Sequence, residues 1–349
     1  MKTRFILTLA LVLAAGVFAA GAAHAQQFTM KLSSPTINDC TQEWMKAFKA
    51  GVESRAGNRI KVEIYPANQL GQIPRTVEGV ALGTIELTAP AVGFLTGLEP
   101  RFEAFDAPGL FDGIVHGQAV LADPEIRKRM ATMGAAKGVE PLYINLHGLL
   151  GVASHKPIRS LADLKGQKIR VPGATTIQVD PFKKFGASPV SMPLGEALPG
   201  MQNKTIDATI ASVSVFTAFK YYDIVKSLTV LPKSYLVVGG LVSRNYMKSL
   251  GPELEAIVRE EARKAEGIFS TYVVEETERI RQTWEKNGGA WITFPQAEAD
   301  RYMKQVNSVV QPVMAANPKM KEDYEALLAA AKKYRKWSWH RAEGPLRFA

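Results

Sequence analysis

The chain has a single cysteine, Cys40, among its 349 residues, and this scarcity removes two classes of site. One cysteine excludes an intramolecular disulfide framework and a cysteine-based zinc site. Histidine is also scarce, and the five histidines, at positions 24, 116, 147, 155 and 340, never approach the spacing of metal ligands. We therefore expect no bound metal, and any functional site must be built from other residue types.

The sequence also lacks the short motifs of common enzymes and cofactor sites. It contains no G-x-S-x-G elbow, Walker A loop, H-E-x-x-H or dinucleotide-binding G-x-G-x-x-G. The acidic pairs Glu260-Glu261 and Glu275-Glu276 lie among Arg and Lys in a helical pattern, which is typical of a charged solvent face. Cys40 has no positive neighbour that would activate its thiol. We expect neither catalysis nor a cofactor.

Long apolar runs are confined to the N-terminus. Lys2 and Arg4 precede an apolar run from Phe5 to Ala23, and Ala23-His24-Ala25 supplies the small-x-small pattern of signal peptidase sites. A transmembrane anchor is the alternative interpretation, because the run is close to the length that spans a bilayer. The run becomes rich in Ala and Gly and stops at the cleavage pattern, which favours a signal peptide over residues 1–25 and a periplasmic mature chain.

Positive charge exceeds negative charge, with 43 Lys and Arg against 33 Asp and Glu. Removal of Lys2 and Arg4 with the signal peptide lowers the formal net charge from +10 to +8. The basic residues are scattered and do not form the aromatic-interleaved stripe of a nucleic-acid-binding surface. We expect no nucleic-acid partner, whereas the positive potential favours the arrival of an anionic ligand.

Two successive clusters of alternating strands and helices make up the mature chain. The first contains strands at 28–32 and 59–65 and a helix at 73–82. The second extends from 142 to 210 and includes a strand at 168–171. The order strand, helix, strand is typical of βαβ units on a largely parallel sheet. The sequence predicts an α/β protein with two lobes.

A long helical segment follows these clusters. It begins with Pro252 in its first turn and ends near Asn287, before Gly288-Gly289. About thirty-five residues rising 1.5 Å each make a rod of roughly 50 Å, which is longer than one lobe. The helix must therefore contact both lobes or kink.

The crossings between clusters suggest domain limits. We predict that residues 26–149 with about 241–283 form lobe I, and that residues 150–240 with about 284–337 form lobe II. Residues 338–349 lack helical periodicity and are predicted to be a C-terminal tail.

Three segments carry motifs of a known family. They are Tyr65–Gly71 (YPANQLG), Asp163–Pro172 (DLKGQKIRVP) and Phe185–Met192 (FGASPVSM), with Glu196 and Asp207 beyond. Together they resemble the extracytoplasmic solute-binding proteins of tripartite ATP-independent periplasmic (TRAP) transporters, over essentially the whole mature chain except the last dozen residues. The resemblance implies two α/β lobes that close on a ligand, one long helix spanning both, and delivery of the solute to a membrane permease.

The resemblance also implies that Arg170 pairs with a carboxylate of the ligand. Alternation along 168–171 sends Ile169 and Val171 to one side of the strand and Arg170 to the other, near the strand's carboxyl end. Ligands in open α/β sheets bind beyond the carboxyl ends of strands. A planar guanidinium offers two parallel donors to a carboxylate. A surface ion pair is the alternative role for this arginine.

Departures from the family pattern narrow the substrate. The family's second arginine falls near Leu150, its asparagine after the "VDG" segment falls on Ala211, and a common aromatic falls on Leu194. Apolar residues thus replace two polar anchors. A cavity with one cation suits a monocarboxylate with an apolar or aromatic body, because a second carboxylate would be buried unpaired. A 2-oxo acid remains an alternative.

Further binding residues are predicted from loops that follow strands. The candidates beside Arg170 are Phe94, His147, Phe216, Asn38, Ser212 and Met192. The default role of each phenylalanine is core packing, that of His147 is a buried structural histidine, and that of Asn38 is a helix cap. We expect a monomer. A ligand-binding partner of a membrane sensor and, with less support, an exported α/β enzyme acting on small acids remain alternative functions.

Overall fold

The computed structural model describes residues 27–173 and 175–338, with the backbone alone for residues 336–338. The predicted signal peptide (residues 1–25) and residues 339–349 of the tail predicted at 338–349 lie outside the described residues. Within the described ranges, no helix is both long and apolar enough to cross a membrane.

Strands of the described chain form one mixed sheet with the order β2-β1-β3-β8-β4-β7-β5-β6, and β9 pairs with β8. Their bounds are β1 Phe28–Ser33, β2 Ile60–Tyr65, β3 Leu87–Thr88, β4 Val139–Ser154, β5 Lys168–Val171, β6 Ser188–Ser191, β7 Ala208–Ser212, β8 Ser227–Ser243 and β9 Ala290–Thr293. The pairs β1–β2, β1–β3, β5–β6, β5–β7 and β8–β9 are parallel.

Helices cover the sheet. Their bounds are α1 Cys40–Ala56, α2 Ile73–Leu82, α3 Ile114–Leu121, α4 Pro124–Met130, α5 Thr176–Lys184, α6 Leu194–Gln202, α7 Val213–Ala218, α8 Arg244–Ser249, α9 Gly251–Ala265, α10 Gly267–Lys286, α11 Gln296–Ala315 and α12 Pro318–Ser338. Short 3-10 turns lie at Gly57–Arg59, Val92–Phe94, Pro100–Asp106, Ala135–Lys137, Leu161–Leu164 and Tyr221–Asp223.

Two long antiparallel strands, β4 and β8, join the two halves of the sheet. The carboxyl end of β8 pairs with β3, its amino end pairs with β9, and the carboxyl end of β4 pairs with β7. The register of β4 against β8 shifts between Leu146 and Gly151, at the middle of β4. The two strands contain 16 and 17 residues, because they continue from one half of the sheet into the other.

The predicted continuous helix is divided in the structure. Helix α9 ends at Ala265 and α10 begins at Gly267. Glycine has a low helix propensity, and the intervening Glu266 is held by Arg127, whose Nη1 and Nη2 donate to its carboxylate at 3.0 and 2.6 Å. The expectation that this segment contacts both lobes or kinks is met by a break, while α9 packs on α1 and α10 packs on both α1 and α7.

Aromatic side chains pack α1 against β4 and the helices α9 and α10. Trp44 is fully buried, stacks on Phe48 at 4.9 Å and meets Tyr143 of β4 at 4.4 Å. Its indole Nε1 donates to the Ala262 carbonyl at 3.2 Å. These contacts join the second turn of α1 to α9 and to the amino-terminal part of β4.

Candidate functional site

A cavity lies between the loops of the two sheet halves and contains about 400 Å³ of space not occupied by atoms, part of it open to solvent. Its wall is mostly apolar and consists of Pro35, Thr36, Ile73, Ala89, Ala91, Phe94, His147, Arg170, Pro172, Leu194, Ala211, Val215, Leu236 and Val238. Arg170, His147 and Thr36 supply the polar side chains.

Arg170 is a cation of this wall, and only 1% of its surface is exposed. Its Nε donates to the Met192 carbonyl at 2.9 Å, and its Nη1 donates to the Ile210 carbonyl at 2.7 Å. Among residues 27–173 and 175–338, no carboxylate pairs with it and no hydrogen bond engages Nη2. Burial lowers the pKa of Arg170 to about 10, while Tyr221 raises it slightly, so the guanidinium remains charged at neutral pH.

Local sequence explains why Arg170 occupies this place. Strand β5 lies between β6 and β7, with Arg170 opposite Val190 on one side and Thr209 on the other. Pro172 follows the strand, lacks an N–H to continue the ladder and lines the cavity. The neighbouring chain segments supply the two carbonyls that orient the guanidinium. The predicted position of Arg170 near the carboxyl end of a strand is therefore what the structure has.

His147 joins the cavity wall to a buried polar cluster. Its Nε2 lies 2.8 Å from Oδ2 of Asp39, and both side chains are almost fully buried. Its Nδ1 lies 3.5 Å from the Ser214 hydroxyl, which in turn lies 3.0 Å from the Ser212 hydroxyl. Asp39 also caps α1, where its Oδ1 accepts from the Gln42 N–H at 3.0 Å.

Opposing effects set the pKa of His147. Burial lowers it, while the sulfur of Cys40 and the carboxylate of Asp39 raise it, and the result lies well above the ordinary value. Burial raises the pKa of the Cys40 thiol itself, so this thiol is neutral and Asp39 is the effective anion. Although burial opposes it, the ion pair with His147 lowers the pKa of Asp39. The pair is thus an imidazolium and a carboxylate at neutral pH.

Other predicted residues fall into two groups. Phe94, together with Leu194 and Ala211, the positions where polar or aromatic family residues are replaced, lines the cavity. The described cavity wall does not include Phe216, Ser212, Met192 or Asn38.

Contacts elsewhere explain why three of these side chains do not line the cavity. Phe216 is fully buried against Tyr221 and Trp284, at ring distances of 5.2 and 6.5 Å, so its neighbour Val215 faces the cavity instead. Ser212 is held in the serine pair beneath His147. Met192 contributes its backbone carbonyl to Arg170.

Asn38 differs in being exposed, with φ of +54°. Asp39 rather than Asn38 caps α1, because its side chain accepts the N–H of Gln42. Direct ligand contact by Phe216, Ser212, Met192 or Asn38 side chains stays a prediction without support from the cavity.

Sequence reasoning missed several wall residues. Pro35 and Thr36 lie in the loop that follows β1. Their position directly after a strand is the same signal that pointed to Phe94 and Asn38, so it could have identified them. Leu236 and Val238 belong to β8, and Ile73 begins α2. No local signal distinguishes these apolar side chains from core residues, because their position depends on how the two halves of the sheet meet.

The two-lobed α/β fold has an apolar cavity between the lobes and a buried cation that no carboxylate of the described residues pairs with. This arrangement is that of a ligand-binding protein of the periplasmic type. The family model for "Bacterial extracellular solute-binding protein, family 7" (DctP) matches residues 34–317. The chain therefore belongs to this family, the solute-binding proteins of TRAP transporters, as its motifs predicted.

Relatives of known structure or name support the same class. The 2,3-diketo-L-gulonate-binding periplasmic protein YiaO of Escherichia coli K12 is 27% identical over 249 residues, covering 71% of this chain and 75% of YiaO. A TRAP periplasmic solute-binding protein from Xanthobacter autotrophicus Py2, with bound β-D-galacturonate, is 25% identical with a TM-score of 0.79, covering 86% and 99% of the two chains. The sugar acid binding protein DctPAm from Advenella mimigardefordensis, in complex with galactonate, shares the fold at 23% identity and a TM-score of 0.82, covering 88% and 99%.

Proposed function

We propose that this protein binds an organic monocarboxylate with an apolar, preferably aromatic, body in the periplasm and delivers it to a TRAP membrane permease. The observation that carries the proposal is Arg170, a buried cation in an apolar cavity wall without a carboxylate partner among the described residues. A buried charge is costly unless a counter-charge compensates it. A ligand carboxylate supplies that counter-charge.

Unused donors of Arg170 favour a carboxylate over a neutral ligand. Two of its N–H groups are taken by the carbonyls of Met192 and Ile210, which also prevent the side chain from rotating. The remaining N–H groups are available to an anion, and hydrogen bonds between charged partners are about twice as strong as neutral ones. Exclusion of water on closure strengthens the ion pair, because the effective dielectric constant falls.

The charged side chains of the described cavity wall suit a ligand with one carboxylate. His147 is the second cation of the described wall, and its charge is compensated by Asp39 at 2.8 Å. Leu194 and Ala211 offer no donor to a second anionic group. A C4 dicarboxylate would therefore bury one charge without a partner, whereas an aromatic ring gains contact with Phe94 and the aliphatic wall.

A sugar acid is the second candidate, favoured by the relatives named for 2,3-diketo-L-gulonate and bound to galacturonate. It shares the carboxylate but carries several hydroxyl groups that need hydrogen-bond partners. Thr36 and His147 are the described wall side chains, beside Arg170, that could provide them.

A melting-temperature screen separates these candidates. The panel contains benzoate, 4-hydroxycinnamate, 2-oxobutanoate, galacturonate and succinate at equal concentration. A ligand at a hundredfold excess over its dissociation constant stabilises the fold by about 2.7 kcal/mol, which is readily detected. We expect the aromatic monocarboxylates to shift the melting temperature most and succinate to leave it unchanged. A largest shift with galacturonate would select the sugar-acid function, and a largest shift with succinate would contradict the single-carboxylate argument.

Export is tested separately. N-terminal sequencing of protein recovered from the periplasmic fraction should begin at or near Gln26, as the small-x-small pattern before it predicts. Recovery of the intact N-terminus in the membrane fraction would instead support the anchor.

A further inference from the structure

Lysines gather at the end of the sheet that lies opposite the cavity. The cavity lies beyond the carboxyl end of β5, whereas Lys168 begins this strand and Lys165 lies in the turn before it. Lys156 follows the carboxyl end of β4, Lys204 precedes β7, and Lys226 directly precedes β8. All five side chains are exposed. We call Lys156, Lys165, Lys168, Lys204 and Lys226 the basic edge.

Strand pairing brings these five positions to one side of the protein. Ser154, the last residue of β4, pairs with Ala208 at the start of β7 and with Ser227 at the start of β8. The backbone N–H of Asp207 donates to the carbonyl of Lys168 at 2.8 Å, which joins the start of β7 to the start of β5. The end of β4 and the beginnings of β5, β7 and β8 therefore lie side by side, and the basic edge follows from this arrangement.

The positive charges of the basic edge have no carboxylate partners. Among the cations of residues 150–240 that the structure describes, those in salt bridges are Lys183 and Lys233, and neither belongs to the basic edge. Cations of the other half of the sheet are paired, as in Lys49–Glu53, Arg55–Glu260, Arg59–Glu253 and Lys61–Glu63.

Carboxylates near the basic edge accept from backbone N–H groups instead. Oδ2 of Asp207 accepts from the backbone N–H of Lys168 at 2.8 Å. Oδ2 of Asp163 accepts from the backbone N–H groups of Arg159 and Ser160 at 2.9 and 2.8 Å. These carboxylates fix the turns before β5 and β7, so the lysine ammonium groups remain free to meet an outside anion.

The distribution of charge along the chain shows the same asymmetry. Residues 150–240 contain 11 Lys and Arg against 5 Asp and Glu. The rest of the chain after residue 25 contains 30 Lys and Arg against 28 Asp and Glu. Most of the net positive charge of the mature chain therefore belongs to the segment that carries the basic edge.

Composition indicates the kind of partner that the basic edge fits. Protein–protein interfaces are enriched in aromatic residues and arginine and are depleted in lysine. The basic edge consists of lysines, and the large exposed apolar side chains of the described chain lie on other segments, at Leu82, Val115, Val274 and Leu328. Clusters of lysine without an apolar anchor are typical of electrostatic contact with anionic lipid headgroups.

We propose that the basic edge binds the anionic phospholipid surface of a membrane through charge alone. This inference goes beyond the proposed function, because neither the solute nor the cavity takes part in it. The basic edge and Arg170 lie at opposite ends of β5, so a protein held at the lipid surface keeps its cavity clear of the headgroups. The contact is reversible and weakens as salt screens the charges.

Sedimentation of the protein with lipid vesicles measures this binding without any solute. One set of vesicles contains equal amounts of phosphatidylglycerol and phosphatidylcholine, and the other contains phosphatidylcholine alone. Wild type should bind the anionic vesicles at about 0.02 M salt, be released at about 0.3 M salt, and ignore the neutral vesicles. Each lysine near an anionic surface contributes about fivefold to the partition coefficient. The triple variant Lys156→Glu, Lys168→Glu, Lys204→Glu should therefore bind at least about a hundredfold more weakly.

A second triple variant controls for net charge. Arg75→Glu, Lys137→Glu, Lys248→Glu makes the same change in net charge at exposed cations outside the basic edge, and its partition coefficient should stay within about threefold of wild type. An equal loss in both triple variants would overturn the basic edge as the contact surface. Failure of wild type to bind the anionic vesicles would overturn the lipid partner and leave an acidic protein surface as the occupant of the edge.

Solute binding is measured separately on the same proteins. Both triple variants should keep the wild-type melting temperature, because exposed side chains without salt bridges contribute little to stability. They should also keep the wild-type response to the acids of the melting screen. If no acid of that screen binds but the vesicle binding depends on the three lysines, the proposed function fails and the basic edge stands. If an acid binds and the vesicles do not, the reverse holds.

Discussion

Replacing Arg170 by methionine should remove ligand binding with little change in the stability of the fold. Methionine keeps much of the side-chain length and adapts to irregular apolar space. It removes the positive charge and both hydrogen bonds to the Met192 and Ile210 carbonyls. The two consequences of this change, for stability and for affinity, have different physical origins.

Stability reflects two opposing contributions. The fall of the Arg170 pKa from 12.5 to about 10 corresponds to an unfavourable burial of its charge of about 3 kcal/mol. Removing the arginine relieves this cost, but the Met192 and Ile210 carbonyls lose the guanidinium donor, at up to about 1–3 kcal/mol each. These contributions are similar in size, so we expect the free energy of unfolding to change by less than about 2 kcal/mol.

The loss of ligand affinity in Arg170→Met is not offset by an opposing contribution. Truncating one partner of a buried charge pair costs about 2–5 kcal/mol, which is a 30-fold to several-thousand-fold rise in the dissociation constant. Calorimetric titration of wild type and Arg170→Met with the acid that leads the melting screen measures the change. Lys168→Met is the matched control, because Lys168 is an exposed cation on the same strand and should bind as wild type. Equal affinity of Arg170→Met and wild type would refute the role of Arg170 as the anchor.

Two further predictions concern stability. Asp39→Asn breaks the buried pair with His147 and should lower the free energy of unfolding at pH 7 by about 3–5 kcal/mol in a denaturant titration, whereas a loss below 1 kcal/mol would show that the pair is not ionic. The stabilisation from the raised pKa of His147 is present below its ordinary pKa of about 6.5 and is lost as the pH rises through the raised value, so wild type and Asp39→Asn should converge at alkaline pH. Gly240→Ala should destabilise the fold by about 1–3 kcal/mol, because the new Cβ would lie 2.2 Å from Cε1 of Tyr143. Gly97→Ala, which meets nothing within 4 Å, is its control, and equal melting temperatures of the two variants would contradict the packing argument.

Local patterns predicted most of the elements that build the site. The predicted helix at 73–82 has the bounds of α2, which Gly83 ends with φ of +77°, and the predicted strand at 168–171 has the bounds of β5. Periodicity failed at β4 and β8, where a strand continues through an irregular stretch from one half of the sheet to the other. It also failed at Glu266, where a contact with Arg127, distant in the chain, accompanies the break between α9 and α10.

The amino-acid sequence by itself determined the family, the bounds of α2 and β5, and the position of Arg170 near the end of a strand. These follow from hydrophobic periodicity, turn residues and motifs, all of which act between residues that are close in the chain. Only the tertiary structure decided that Arg170 lacks a carboxylate partner among the described residues, that Val215 rather than Phe216 faces the cavity, and that Asp106 meets Gln178, 72 residues away. Such properties depend on which side chains are brought together across the cleft, and contacts between distant segments leave no periodic signal in the sequence.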